Sequence, residues 1–235
     1  MGEMLTFGGQ VMKNVAGYDV SRLVAGSMGI LGVICEVSLK VMPSPPSCRT
    51  LYFDIDEADA LRQLNTFAGE TIPLNASAWY QGRLLVRLAG ATAAVKSVHE
   101  RLGGRDVEPR VAGSWWTDIR DHRHAFFDVT DADLERGECL WRLSVPDIAP
   151  PISLPGAQFI EWGGAQRWWR SSAPAALVRS AAAAVGGHAT LVRAADKSPG
   201  VFTSLTQSLM HVHRRLKNAF DPLGIFNPGR LYPEL

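Results

Sequence analysis

This 235-residue chain is poor in cysteine, in charge asymmetry and in long apolar runs, and each scarcity excludes something. Its three cysteines, Cys35, Cys48 and Cys139, form no CxxC pair. An odd, scattered set fits a reducing compartment and no structural zinc site. Lys and Arg total 24 against 23 Asp and Glu, a formal net charge of +1. That balance gives no general attraction to nucleic-acid phosphates or anionic lipid, although a local basic patch is compatible with it. The longest uncharged stretch, Ser198 to His213 with its histidines neutral, is too short and too rich in Ser, Thr and Gln to span a membrane. Met1-Gly-Glu-Met has no basic region leading into an apolar one, so no signal peptide is read there. The expectation is a soluble, cytoplasmic chain, or one docked to something that is.

Common catalytic signatures are missing as well. There is no HExxH, no Walker A sequence, no paired metal carboxylate motif and no clear Ser-His-Asp set. Two His-x-His pairs, His122/His124 and His211/His213, fall in predicted helices, where positions two apart point to different faces and do not share a metal.

What remains is the composition of a folded protein. Hydrophobic residues make up 46%, enough for one large core or two small ones, and seven Trp argue against disorder. All seven lie between Trp79 and Trp169. In the doublet Trp168-Trp169 the side chains point to opposite faces of a strand, which predicts one of them exposed or covered by a partner. The Trp-rich region reads either as ordinary core or as a partner surface.

Along the chain, Met4 to Phe7 reads as a strand that starts without any preceding cap or turn. Val15 to Val24 reads as a helix and Val33 to Val41 as a strand, partly apolar on both faces. Between them lie Gly26, Gly29 and Gly32. They follow a helix and precede a strand, the reverse of a dinucleotide fingerprint. The run is read either as a tight turn needing positive φ or as bare backbone that a flat or phosphorylated ligand can approach. Pro43, Pro45 and Pro46 mark a boundary.

Beyond it, Thr50–Ile55 is a predicted strand and Asp56–Ala68 a helix with Ala58, Leu61, Leu64 and Phe67 as its buried stripe. Ala76–Tyr80 and Leu84–Leu88 form a hairpin around Gln81-Gly82, and a helix from about Ala91 ends at Gly103. That is the element order of a ferredoxin-like half. A second half echoes it: a helix over Trp115–Phe127, a strand over Leu140–Val145, a hairpin of Gln158–Trp162 with Arg167–Arg170, a helix over Pro174–Val185 and a strand over Ala189–Arg193. Ser204–Phe220 is a last helix, with Leu205, Leu209, Val212, Leu216 and Phe220 on its apolar face and Arg214, Arg215 and Lys217 at its negative end. The predicted fold class is α+β, one antiparallel sheet with helices on one face.

Two stretches carry a family resemblance. Phe7-Gly-Gly-Gln-Val-Met-Lys13-Asn14-Val-Ala-Gly17-Tyr18-Asp19, continuing through Gly26-Ser27-x-Gly29-x-x-Gly32-Val33-Ile34-x-Glu36-Val37, resembles the flavin domain of the FAD-linked oxidases of vanillyl-alcohol-oxidase (PCMH) type. So does the tail Phe220-Asp-Pro-x-Gly-Ile-Phe-Asn227-Pro228-Gly229-Arg230. The middle, with Trp162-Gly-Gly-Ala-Gln-Arg-Trp168 and Gly187-His188-Ala189-Thr190-Leu191, is similar to the FAD-binding E subunits of glycolate oxidases (glycolate dehydrogenases).

The resemblance implies residues 1–46 as part of an FAD-binding domain, 47–200 as an antiparallel cap domain, and 201–235 as a helix and tail returning to the first. It implies that Gly26, Ser27, Gly29, Gly32, Val33 and Ile34 run along the adenosine and pyrophosphate of FAD. It places Asn227, Pro228 and Gly229 near the isoalloxazine edge. Lys13, Asn14 and Asp19 shape the flavin pocket, and His188 is a further pocket-shaping candidate, unless it is simply a solvent-facing strand start. No catalytic residue and no metal ligand is assigned. The implied activity is oxidation of glycolate to glyoxylate with a D-type flavin subunit and an iron–sulfur subunit as partners, and any membrane association is peripheral, through that complex. The alternatives are a flavin-free structural subunit and an FAD oxidoreductase for another 2-hydroxy acid or alcohol. Family members carry an earlier FAD subdomain with a glycine-rich pyrophosphate loop. The sequence starts after it, and is therefore read as a C-terminal piece that does not retain FAD by itself.

Overall fold

The computed structural model describes residues 3–9 and 18–235. The chain divides into two compact units: Met42–Thr203, and Met1–Val41 with Ser204–Leu235.

In the second of these, the first helix, α1 (Val20–Val24), is a single short turn whose N-cap, Asp19, accepts the Arg22 amide at 3.0 Å. The predicted strands at Met4–Phe7 and Val33–Val41 do not form. Both segments lack strand pairing, and Val33, Val37, Leu39 and Val41 are 61–81% exposed. Apolar alternation marks strand potential, but a strand exists only where a second strand takes its N–H and C=O groups, and among the described residues none lies alongside.

The Met42–Thr203 unit follows its local signals closely. The strand β1 (Ser47–Asp54) leads to α2 (Glu57–Ala68), capped by Asp56, which accepts the Asp59 amide at 2.8 Å. Then β2 (Leu74–Tyr80) and β3 (Arg83–Gly90) form a hairpin. Both of its turn residues, Gln81 and Gly82, have positive φ (48° and 78°), the geometry that matches strand twist in a two-residue turn. Next, α3 (Thr92–Leu102) stops at Gly103, left-handed at φ 67°, and β4 (Arg105–Asp106) closes the half. After α4 (Pro109–Arg120) and α5 (Asp131–Glu135) come β5 (Cys139–Ser144), β6 (Ala157–Glu161), β7 (Gln166–Ser171), α6 (Ala175–Ala184) and β8 (His188–Arg193).

The eight strands form one sheet in the order β4-β1-β3-β2-β6-β7-β5-β8, every pair antiparallel. Each run of four has the ferredoxin-like order, and the halves join where β2 meets β6 through Ala78↔Glu161 and Trp79↔Ile160.

The expectation of helices on one face is corrected. On one face α2 and α3 cover Leu51, Leu84, Val86 and Leu88, while α6 covers Trp141, Leu143, Trp169 and Leu191. On the other, Ala112, Trp116 and Ile119 of α4, with Phe126, Phe127 and Val129 after it, cover Ala78, Leu85, Leu140, Phe159 and Trp168. Trp168 and Trp169 are therefore both buried, at 2% exposure each, with no partner chain needed. The helix predicted over Trp115–Phe127 begins earlier, at Pro109, and breaks at His122. There φ is +53°, and the ring stacks on Phe127 at 4.5 Å between centroids. A short 3-10 turn, Ala125–Phe127, then returns two Phe rings to the sheet. No described helix is long and apolar enough to cross a membrane, and the described residues contain no cluster of three metal-ligating side chains.

Candidate functional site

The last helix, α7 (Gln207–Phe220), starts at Thr206, whose hydroxyl accepts the Leu209 amide, and ends at Asp221, which precedes Pro222. Its predicted apolar stripe is only partly covered, with Leu205 and Leu216 half-buried and Phe220 packed. Leu209 and Val212 are about half exposed, while Met210 and Phe220 pack with Ile30, Leu31, Leu231, Tyr232 and Leu235. The most buried residue of α7 is Lys217, at 6% exposure, which charge counting places in water at the helix end. Its ammonium donates to the carbonyls of Ile30 (2.7 Å) and Phe226 (2.6 Å) and to Oδ2 of Asp221 (2.6 Å), using all three hydrogens. Asp221 is one turn further on and accepts the amides of Ile225 (3.1 Å) and Phe226 (2.8 Å). Burial by itself would raise the Asp221 carboxyl. The Lys217 ammonium and the two amides outweigh it and hold the carboxyl below its ordinary range. The Lys217–Asp221 pair thus ties three segments together: helix, tail and the turn at Ile30. The sequence signal for it is slight, a Lys four residues before an Asp-Pro.

This tie sets the tail against the glycine turn. Asn227 Nδ2 donates to the Met28 carbonyl at 2.8 Å, across 199 residues of sequence. A Cβ built on Gly29 would lie 2.7 Å from that amide nitrogen, so the close approach requires glycine there. Gly29 has φ +76°, and Gly26 (+80°), Met28 (+56°) and Gly32 (+153°) are likewise at positive φ. A Cβ built on Gly26 or Gly32 would meet nothing within 4 Å, so there is open space beside the backbone at both. Such turns offer backbone N–H groups to an anion, and open glycines let a phosphate or a flat ring come close.

The remaining predicted residues are placed as follows. Ser27 is buried within the turn, while Val33 and Ile34 leave it exposed, at 75% and 55%. Pro228 lines a small cavity of about 390 Å³ with Lys217, Asp221 and Leu235, and the Gly229 amide bonds the Leu235 carbonyl. Asp19 is occupied as the cap of α1. Lys13 and Asn14 lie outside the described residues. His188 is in the Met42–Thr203 unit, at the exposed start of β8 opposite Ser144. The glycines of this turn leave backbone that a phosphate or a flat ring can approach, while Asn227 is committed to the Met28 carbonyl.

Comparison with known proteins agrees in kind. The family described as FAD linked oxidases, C-terminal domain, matches residues 195–231. The chain is 41% identical over 234 residues to glycolate oxidase subunit GlcE of Escherichia coli (strain K12), covering all of this chain and 63% of that relative. It is 37% identical over 87 residues to glycolate oxidase subunit GlcD of Bacillus subtilis (strain 168), 36% of this chain and 18% of that one. A D-2-hydroxyglutarate dehydrogenase of Xanthomonas citri pv. viticola is 30% identical over 100 residues, 42% of this chain and 21% of that one. The chain thus spans somewhat under two thirds of the length of its full-span relative.

Proposed function

We propose that this chain, which is 41% identical to a GlcE subunit over its whole span and is matched at residues 195–231 by the FAD linked oxidases C-terminal family, is an FAD-binding subunit of a glycolate oxidase complex that converts glycolate to glyoxylate. FAD, when bound, supplies the acceptor for the substrate hydride. The chain's own residues bind and orient it. The turn from Gly26 to Gly32 offers backbone N–H donors to the pyrophosphate, and Asn227 fixes the tail against that turn. Lys217 holds both segments in place without touching the ligand. The contact of Asn227 with Met28 and Gly29 carries this reading, since it joins two distant motifs of one family in one place.

The test is reconstitution of the full-length protein with a D-type flavin subunit and an iron–sulfur subunit, followed by absorbance for bound flavin and glycolate turnover with an artificial electron acceptor. Flavin bound by this subunit and glycolate oxidised is the expected result. An assembled complex in which this subunit is flavin-free makes it a structural subunit. Flavin with preference for another 2-hydroxy acid corrects the substrate, a choice to which the likeness to a D-2-hydroxyglutarate dehydrogenase lends weight.

A further inference from the structure

The pair His122/His124 follows directly on α4, where the helix breaks and the chain turns back to the sheet. We propose that His124 is a pH-sensitive clasp: neutral, it holds the Ala125–Phe127 turn on the sheet through its Nδ1, and protonated, it releases that turn.

The cap of the turn carries this. Phe126 is 2% exposed, and its amide donates to His124 Nδ1 at 3.2 Å. Among the described residues that amide has no other acceptor. A buried amide without an acceptor is costly, and an imidazole nitrogen accepts only while it carries no proton. The bond therefore requires the neutral tautomer with its hydrogen on Nε2. The backbone of the same residue joins the turn to α4: the His124 amide donates to the Asp118 carbonyl at 3.2 Å, and the His124 carbonyl accepts the Phe127 amide at 2.8 Å. Phe126 and Phe127 in turn cover Phe159 and Trp168.

The surroundings oppose a charge at this position. The half-buried ring lies against Tyr80 of β2 (5.4 Å between centroids), Trp115 of α4 (6.1 Å) and Phe159 of β6 (5.6 Å). Two titratable groups face it, Tyr80 and Asp118, and the Asp118 carboxylate is engaged by Arg123 Nε at 3.1 Å. Burial pulls the imidazole below its ordinary value of 6.5, and Asp118 offsets this only in part. With the folded value depressed, the clasp contributes fully above 6.5 and is lost as pH falls through the lower folded value. His122 is not equivalent. Its ring stacks on Phe127 at 4.5 Å, gives the turn no hydrogen bond among the described residues, and acts on Glu161 rather than on the cap.

The experiment follows the Phe126 amide of the full-length protein by NMR hydrogen exchange from pH 7.5 to 4.5, corrected for intrinsic rate, with the His124 ring titrated in the same samples. Wild-type protection should fall about tenfold, the worth of one hydrogen bond, and its midpoint should coincide with that of the His124 ring. H124N keeps an acceptor where Nδ1 stood and does not titrate, so its protection should stay level. H124F removes the acceptor and should show the acid level of protection already at pH 7.5. H122F keeps the stacked ring and should follow the wild type. Wild-type protection that does not change with pH, an equal fall in H124N, or a fall abolished by H122F overturns the clasp. If H124N does not fold, the two wild-type midpoints decide, and a separation between them overturns it. None of these readouts uses flavin or glycolate, so the outcome is independent of the functional reading.

Discussion

Replacing Gly29 by Ala and Asn227 by Gly, singly and together, tests whether the glycine turn and the tail depend on each other. In Gly29→Ala two effects add. An L-residue at φ +76° costs about 1–2 kcal/mol, and the new methyl, 2.7 Å from Asn227 Nδ2, evicts that amide from the Met28 carbonyl. The hydrogen bond is solvent-exposed, so its loss is near the low end of the usual range, about 0.5–1 kcal/mol. Gly29→Ala should therefore cost about 1.5–3 kcal/mol. Asn227→Gly loses the same hydrogen bond while keeping a residue at ease with φ +39°. In the double variant that bond is lost once, not twice, so the sum of the single effects should exceed the double by about 0.5–1 kcal/mol. Effects of either substitution on its own backbone cancel in the cycle. Tryptophan fluorescence is blind to this, since all seven Trp lie in the Met42–Thr203 unit. Hydrogen exchange of peptides covering Gln207–Phe220 reads the right region. Additivity within about 0.3 kcal/mol would show that the two positions do not act on each other and would refute the reasoning.

Lys217→Met should destabilise the same region by more than Asn227→Gly, because it strips the donor from the buried Ile30 carbonyl, at about 1–3 kcal/mol, and from the part-buried Phe226 carbonyl, read by the same exchange measurement. The depressed carboxyl of Asp221 makes its contribution complete above its ordinary value near 3.8 and lost as pH falls below that, so α7 should lose protection in acid, and Asp221→Asn should flatten that pH dependence. Gly187→Ala should cost about 2–3 kcal/mol in urea unfolding followed by Trp fluorescence, since its Cβ would lie 2.4 Å from the Ser144 carbonyl oxygen, which cannot move aside as a side chain can. Burial already pushes the Glu161 carboxyl up, against hydrogen bonds from Trp168 and Gln166, and Trp168→Phe should push it further, which carbon-detected NMR titration of Glu161 would follow.

Local chemistry made much of the Met42–Thr203 unit legible. Asp56 before an apolar stripe, Gln81-Gly82 between alternating runs and Gly103 after a helix are each read over a few residues and each mark an element that forms. The break at His122 was not legible, because nothing within Trp115–Phe127 forbids a longer helix; two Phe rings seeking the sheet bend the chain there. Lys217 was misread for the opposite reason. Its position near a helix end suits the dipole, and only the arrival of the Ile30 and Phe226 carbonyls from elsewhere makes burial of its charge tolerable.

What the sequence by itself determined is therefore most of the element order of the Met42–Thr203 unit, its turn geometry and the two motif stretches, all set by φ preferences, caps and hydrophobic period acting over a few residues. Tertiary structure decided the rest. It covers both faces of the sheet, so that adjacent Trp168 and Trp169 are both core. It leaves Val33–Val41 without a strand beside it among the described residues, and it seats Asn227 on Gly29 from 199 residues beyond Met28. Each of these depends on which surfaces meet across long sequence separations, and hydrogen-bond partners and buried charges are satisfied only once they do.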